Sequence, residues 1–428
     1  MLRPKKEKPS PGGPPSHRAV RRRGGGAQSS GSFSAGLMLM AVAFCLTFFL
    51  IYISGAGWLK STGIGSETAG RTNATPKVKL SASTKLSGTP LERIASGQLN
   101  LIKLSGDKGT FCTLDFKTHK SDPSTYPMFR DLVKVSGCEN AKNTFVVNLD
   151  EAFKAARDYD SRNGITAKPP KGFVFHESRC GSTLAANSLA VASEDFRVYS
   201  ESAPVPSAVR GGGKNFVRDV IYLMTRGPGG KSEPTFFKFQ SIMSLSMKQI
   251  LGAYPEVPWI FVYREPVQVM MSHLKGAGGG TRGAGTPNCA RAKSNPGKEV
   301  SEVLRGGQQN PKHASNEMFC AAHLSTLCNE ALRRARNSGG LGKLVNYEGL
   351  VEKMKTNIIP KHFNVGSLTS KGLSRIDEIG GVYSKARKPG KIWVEDSKKK
   401  EEQASNTVME ASDLFLKRQY IEMLKEEN

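Results

Sequence analysis

Two short segments carry the residues best suited to chemistry. In the first, Phe173-Val-Phe-His is an apolar run that leads into Arg179-Cys180-Gly181-Ser182-Thr183-Leu184, and a helix-forming stretch follows. Strand, small-residue turn and helix start make up a phosphate cradle. Glycine allows the tight turn, and the free N–H groups of a helix start face an anion. Ser182 and Thr183 offer hydroxyls, and Arg179 adds a permanent positive charge. In the second segment, Trp259-Ile-Phe-Val-Tyr runs into Arg264-Glu-Pro266 and a second helix, with Ser272 eight residues beyond Arg264. Parallel α/β sheets bind ligands outside the carboxyl ends of their strands, where both arginines fall. Two separated cationic ends suit a ligand with two phosphate groups. An ordinary strand-to-helix turn is the plainer alternative for the first segment. The ATPase loop G-x-x-x-x-G-K-[ST] is absent, which argues against a kinase and against Mg²⁺.

Taken together, these segments resemble the sulfotransferases that use 3′-phosphoadenosine 5′-phosphosulfate (PAPS). The resemblance spans about 171 to the C-terminus in four patches: the two above, Leu344-Val-Asn-Tyr-Glu-Gly-Leu350, and Tyr383-Ser-Lys385 with the basic loop Arg387-Lys-Pro-Gly-Lys391 and Trp393. It implies that Arg179, Cys180, Gly181, Ser182, Thr183 and Leu184 hold the 5′-phosphosulfate and that Arg264 and Ser272 hold the 3′-phosphate. It also implies that Tyr383 and Lys385 belong to a loop covering the nucleotide. Lys238, in Thr235-Phe-Phe-Lys-Phe-Gln240, resembles the lysine placed near the bridging oxygen; otherwise it is a surface charge at a strand end. Soluble family members use a histidine two residues later, where this chain has Gln240, which cannot take a proton. The expected general base is therefore Glu201, at the end of the next strand, as in membrane-bound members; a capping or ion-pairing carboxylate is its alternative. His176 is expected inside a strand, packed. The expected catalytic set is Glu201, Lys238 and Arg179, without metal.

Strands are expected near 172–178, 196–200, 235–240, 259–264 and 343–347, and helices near 181–193, 243–253, 267–275, 314–337, 349–357 and 405–426. The alternation predicts a three-layer α/β fold, mainly parallel sheet flanked by helices, of the P-loop-like kind found in sulfotransferases. Residues 276–312, rich in Gly, Asn and Gln, are expected to be an insertion, and 101–170 an N-terminal elaboration.

Composition sets the outer limits. The chain has 428 residues and a formal net charge of +25. About +7 of this lies in 1–34, a basic tail whose composition predicts disorder. Residues 35–54 form an apolar stretch long enough to cross a bilayer as a signal-anchor helix. The preceding basic flank predicts a single-pass type II orientation in the Golgi membrane, with the C-terminal part luminal. An organelle transit peptide, plastid or other, is the alternative. Residues 55–100 are expected to be a flexible stem, with a glycosylation sequon at Asn73-Ala-Thr75.

The basic charge favours anionic partners: PAPS itself and an acidic or neutral glycan or protein acceptor. Nucleic-acid binding is the weaker reading, because no zinc-finger, RNP or basic-zipper pattern occurs. Of seven cysteines, Cys45 lies in the apolar stretch, Cys180 is expected to be a small buried residue, and Cys320 and Cys328 lie too far apart on one helix to bridge each other. Cys112, Cys138, Cys289, Cys320 and Cys328 leave the pairing open. A sulfotransferase acting on a hydroxyl or amine of a secretory-pathway acceptor is the expected function. A non-catalytic, membrane-anchored binder of anionic glycan or nucleotide is the second.

Overall fold

A computed structural model of the chain describes residues 88–274 and 286–427. The expected tail, membrane span and sequon lie outside the described residues, as does most of the expected stem. Among the described residues, no helix is long and apolar enough to cross a membrane.

Among the described residues, eight strands form two sheets: β1 (Asn100–Ser105), β2 (Lys108–Cys112), β3 (Phe145–Asn148), β4 (Gly172–His176), β5 (Arg197–Ser200), β6 (Thr235–Lys238), β7 (Trp259–Tyr263) and β8 (Gly342–Asn346). The first three make an antiparallel sheet in the order β1-β2-β3. The other five make a parallel sheet in the order β5-β6-β4-β7-β8. Strands after β4 are added first on one side of it (β5, β6) and then on the other (β7, β8), and such a switch point between β4 and β7 opens a crevice at the strands' carboxyl ends.

The central strands β4 and β7 are runs of large apolar residues buried on both faces; β5 and β6 are equally buried but carry Arg197 and Lys238, and the edge strand β8 is half-buried at Gly342 and Lys343. Their pleat separates two chemistries. Phe173, Phe175, Tyr199, Phe237, Trp259, Phe261 and Tyr263 enter one core, where Tyr199 and Phe237 stack 5.1 Å apart. Val174, Val198, Phe236, Ile260, Val262 and Val345 enter the other. Alternation at period two sends neighbouring residues to opposite faces. The helices Lys214–Thr225, Met247–Ala253 and Asn316–Arg336 cover the aromatic face, and Ser182–Ala192 and Ser370–Gly380 cover the aliphatic face.

Several boundaries differ from expectation. The described residues begin inside the segment read as stem, and they include there the helix Pro90–Ala95, started by a Thr89–Glu92 capping box. The expected single helix at 405–426 is two, Asn406–Phe415 and Lys417–Glu427. Within the expected insertion, Lys298–Gly306 is a helix that buries Val300 and Leu304. Cys289 in that segment is bonded to Cys320 on the long helix Asn316–Arg336. A second disulfide joins Cys112 at the end of β2 to Cys138, 26 residues on. Closing a loop of that length restrains the unfolded chain by about 3–4 kcal/mol. We expect Cys138→Ser to lower the unfolding free energy of the oxidised protein by roughly that amount; an unchanged denaturant midpoint would contradict the pairing.

Candidate functional site

The central strand β4 ends at His176, and its continuation folds into a loop under unusual backbone constraint. Ser178, Arg179 and Gly181 all have positive φ, of 87°, 57° and 88°. The strain at Ser178 is held by His176. The ring Nε2 donates to the Phe239 carbonyl and Nδ1 accepts the Ser178 N–H, both at 3.0 Å. A carbonyl only accepts and an amide N–H only donates, so the imidazole is neutral with its proton on Nε2. Burial, with Lys238 nearby, pushes its pKa well below the usual value. His176 thus props the loop and is not free to act as a base. Gly181 cannot be replaced without strain, because a Cβ there would lie 2.3 Å from the Tyr347 ring at a φ that side chains avoid. The helix Ser182–Ala192 starts immediately after it and is buried throughout.

Glu177 ties this loop to the second motif. Its Oε1 accepts the backbone N–H of Arg264 at 2.6 Å, and its Oε2 accepts the Cys328 thiol at 3.4 Å. Burial raises the carboxyl to about 8, against the lowering effect of the Arg264 N–H. The native protein therefore keeps a proton that the unfolded chain loses near the ordinary value of 4.5. As pH rises through that window the unfolded state is favoured, and the stability contributed by the neutral carboxyl is gone above the folded value. Glu177→Gln keeps the Oε1 acceptor and carries no titrating proton. We expect it to flatten the decline in stability between about pH 4.5 and 8 in urea titrations; an unaltered slope would place the titration elsewhere.

The second arginine stands at the carboxyl end of β7. Its guanidinium lies over the Tyr347 ring, 4.2 Å from the centroid. Nε donates to Gln268 Oε1 and one terminal nitrogen donates to the Ser397 hydroxyl, each at 2.5 Å. Pro266 opens the following helix, where a missing N–H costs nothing, and Ser272 donates back to the Gln268 carbonyl at 2.8 Å.

The late loop is a hairpin pinned by an isolated bridge between Val382 and Ile392. Asn187 of the loop-bearing helix holds it by donating to the Ser384 carbonyl at 3.1 Å.

These elements enclose one cleft of about 1170 Å³. Arg179, Gly181, Ser182, Thr183, Leu184, Arg264, Ser272, Tyr383 and Lys385 all line it, with Tyr347 and Trp393 supplying aromatic surface. The Thr183 hydroxyl is buried and has no hydrogen-bond partner, so the cradle presents an unused donor. Cys180 is the small buried residue that its place in the loop predicts. Its side chain is fully buried beneath the loop, with Sγ 3.0 Å from the Val262 carbonyl it donates to, and burial pushes its thiol up to about 12. It packs and does not reach ligand space through its side chain.

Glu201 and Lys238 form an ion pair with each other. The β5–β6 register sets Ser200 opposite Lys238, and the next amide, that of Glu201, donates to the Lys238 carbonyl at 2.6 Å. Glu201 itself adopts a positive φ of 61°, which turns its carboxylate toward the lysine. Lys238 is fully buried, so it is not the surface charge that a strand-end lysine suggests. Burial would raise the Glu201 carboxyl, but the Lys238 ammonium, with Lys385 beyond it, outweighs burial and brings it to about 2. Lys385 is lowered to about 8 by burial first and by Lys238 next, with Glu201 and Arg179 also acting on it. It electrically links the phosphate loop to the Glu201–Lys238 pair, although that pair does not itself line the cleft.

Lys400 and Asp396, which also line the cleft, carried no signal in the sequence beyond a lysine run. Among the described residues, no group of three or more His, Cys, Asp or Glu is placed to hold a metal ion. No known family model matches the chain, and no curated protein matches it.

Proposed function

We propose that this protein is a PAPS-dependent sulfotransferase. What carries the proposal is the convergence of the Arg179 loop and the Arg264–Ser272 helix on one cleft at the switch point of the sheet. A cleft of this size accommodates a nucleotide, and it is lined by cations from both segments. The residues fit the co-substrate in kind. Arg179 and the orphaned Thr183 hydroxyl suit a 5′-phosphosulfate, Arg264 and Ser272 suit a 3′-phosphate, and Tyr347 and Trp393 offer faces for a purine. The helical cover on both sides of the sheet agrees with the sulfotransferase variant of the P-loop-like fold.

The bound co-substrate supplies an activated sulfuryl group. One S–O bond forms to the acceptor oxygen, the S–O bond to the phosphate breaks, and adenosine 3′,5′-bisphosphate leaves. Arg179 and Lys238 neutralise the charge that grows on the leaving phosphate. Glu201 takes the proton of the acceptor hydroxyl. In the resting arrangement Lys238 suppresses the basicity of Glu201. The pair does not line the cleft in this arrangement, so both roles require Lys238 to move from Glu201 to the sulfuryl oxygens when the co-substrate arrives, which would restore the basicity of Glu201.

A luminal Golgi position accords with the apolar stretch at 35–54 and its basic flank. Two disulfides also suit an oxidising compartment. The basic charge favours a glycan acceptor that is itself anionic. Incubating the full-length protein with PAPS carrying labelled sulfate and separate pools of glycan, peptide and lipid tests the proposal. Label should enter one pool, with glycan expected. No transfer to any pool, with nucleotide still bound, would leave a non-catalytic binder on the same fold.

A further inference from the structure

The nucleotide cleft contains a cation that neither the phosphate loop nor the second motif supplies. Lys400 lies on the short helix Ser397–Glu402 and lines the cleft, yet it is 93 % buried. The same carboxylate oxygen of Asp396, Oδ1, lies 2.6 Å from Lys400 Nζ and 3.9 Å from a terminal nitrogen of Arg264. The neighbouring Ser397 hydroxyl accepts from Arg264 at 2.5 Å. One anionic oxygen is thus bracketed by two buried cations, with a hydroxyl beside it. This is the arrangement that a phosphate oxygen would take up, built with a carboxylate in its place. Lys398 and Lys399, on the same helix, point to solvent and share none of it.

We infer that Lys400 is a further ligand for the 3′-phosphate and that Asp396 occupies its place until nucleotide enters. The inference rests on the proposed sulfotransferase function and names a residue of the same site. Binding exchanges the Asp396 carboxylate for a phosphate oxygen between Arg264 and Lys400, and Asp396, half-exposed, turns to water. Burial followed by the neighbouring Arg264 lowers the Lys400 ammonium and Asp396 raises it, which agrees with a cation that needs an anion beside it. The exchange also makes the cleft discriminate. A nucleotide with no 3′-phosphate leaves the Asp396–Lys400 pair in place and gains nothing from it.

Calorimetric titration of the full-length protein with adenosine 3′,5′-bisphosphate and, separately, with adenosine 5′-phosphate tests this. Lys400→Ala should weaken the bisphosphate roughly ten- to a hundredfold and leave the monophosphate within about twofold, the loss of one charge-assisted contact. Lys400→Gln, which keeps the first part of the stem and a neutral N–H donor, should show the same selective loss if the alanine variant folds poorly. Asp396→Asn should tighten the bisphosphate several-fold, since the competing charge is gone. The exposed Lys398→Ala should change neither. Equal loss for both nucleotides, or no loss for either, would overturn the role of Lys400. Wild-type protein that binds neither nucleotide would overturn the sulfotransferase proposal and this inference with it.

Discussion

Glu201→Gln is expected to lower sulfuryl transfer by about 10²–10⁴-fold, the usual contribution of a positioned general base, while nucleotide affinity stays near the parent value. Glutamine keeps an oxygen that can accept from Lys238, so the buried ammonium is not left bare. It cannot accept the acceptor's proton at any accessible pH. The comparison separates two roles of Glu201. If the carboxylate only holds Lys238 in place, glutamine does the same and turnover survives. If it removes a proton, kcat falls and KM for PAPS does not follow. Single-turnover transfer of labelled sulfate by parent and variant gives the answer, and a fully active variant removes Glu201 from the mechanism. His176 is not expected to substitute for it, because both ring nitrogens are already engaged.

Arg264→Ala should weaken adenosine 3′,5′-bisphosphate by about 2–4 kcal/mol, or roughly 30- to 1000-fold, the cost of truncating one partner of a desolvated charge pair. Three contacts hold the guanidinium in a fixed plane: the Tyr347 face, Gln268 and Ser397. Such pre-orientation suits bidentate recognition of a phosphate, which a lysine cannot reproduce. Arg264→Lys should therefore recover only a minor part of the loss. Adenosine 5′-phosphate, with nothing to offer Arg264, should bind the variant nearly as well as the parent. Equal weakening of both nucleotides would assign Arg264 to the shape of the cleft and not to the 3′-phosphate. The aromatic support matters as well. Tyr347 packs against Gly181 on one side and Arg264 on the other, so a single ring spaces the two phosphate-binding motifs.

The parallel strands were legible because β4, β6 and β7 centre on continuous apolar runs ended by polar loops, and β5 and β8 follow at the spacing of strand–helix alternation. Thr235–Lys238 and Trp259–Tyr263 are buried at every position, and no solvent-facing residue interrupts the pattern. The antiparallel sheet β1-β2-β3 was harder to read, because its strands are half exposed and mix Lys, Ser and Asn with the apolar residues. The helix Lys298–Gly306 was hidden by the glycine and asparagine around it, although Val300 and Leu304 share a face at helical spacing. For the candidate site, local spacing reached what lies within one segment. Arg179 to Leu184 and Arg264 to Ser272 are each close in sequence, and both line the cleft. Contacts between segments were out of reach. The Glu177 link to Arg264 spans 87 residues, and a glutamate beside a glycine turn gives no hint of a neutral buried carboxyl. Lys238 was singled out by its resemblance to the lysine near the bridging oxygen, but its burial by the neighbouring strand and its pairing with Glu201 depend on sheet order, which periodicity does not contain. Cys180 was legible as a small buried residue, and its thiol does turn into the core, toward the Val262 carbonyl.

The central claim is that Arg179 and Arg264 grip opposite ends of one doubly phosphorylated adenosine nucleotide. Calorimetry of adenosine 3′,5′-bisphosphate against the full-length protein, with Arg179→Ala and Arg264→Ala each measured beside the parent, tests it most directly. A single site should appear, each variant should bind markedly more weakly, and adenosine should show no measurable affinity. A bisphosphate that fails to bind, or that binds the parent and both variants alike, would contradict the claim.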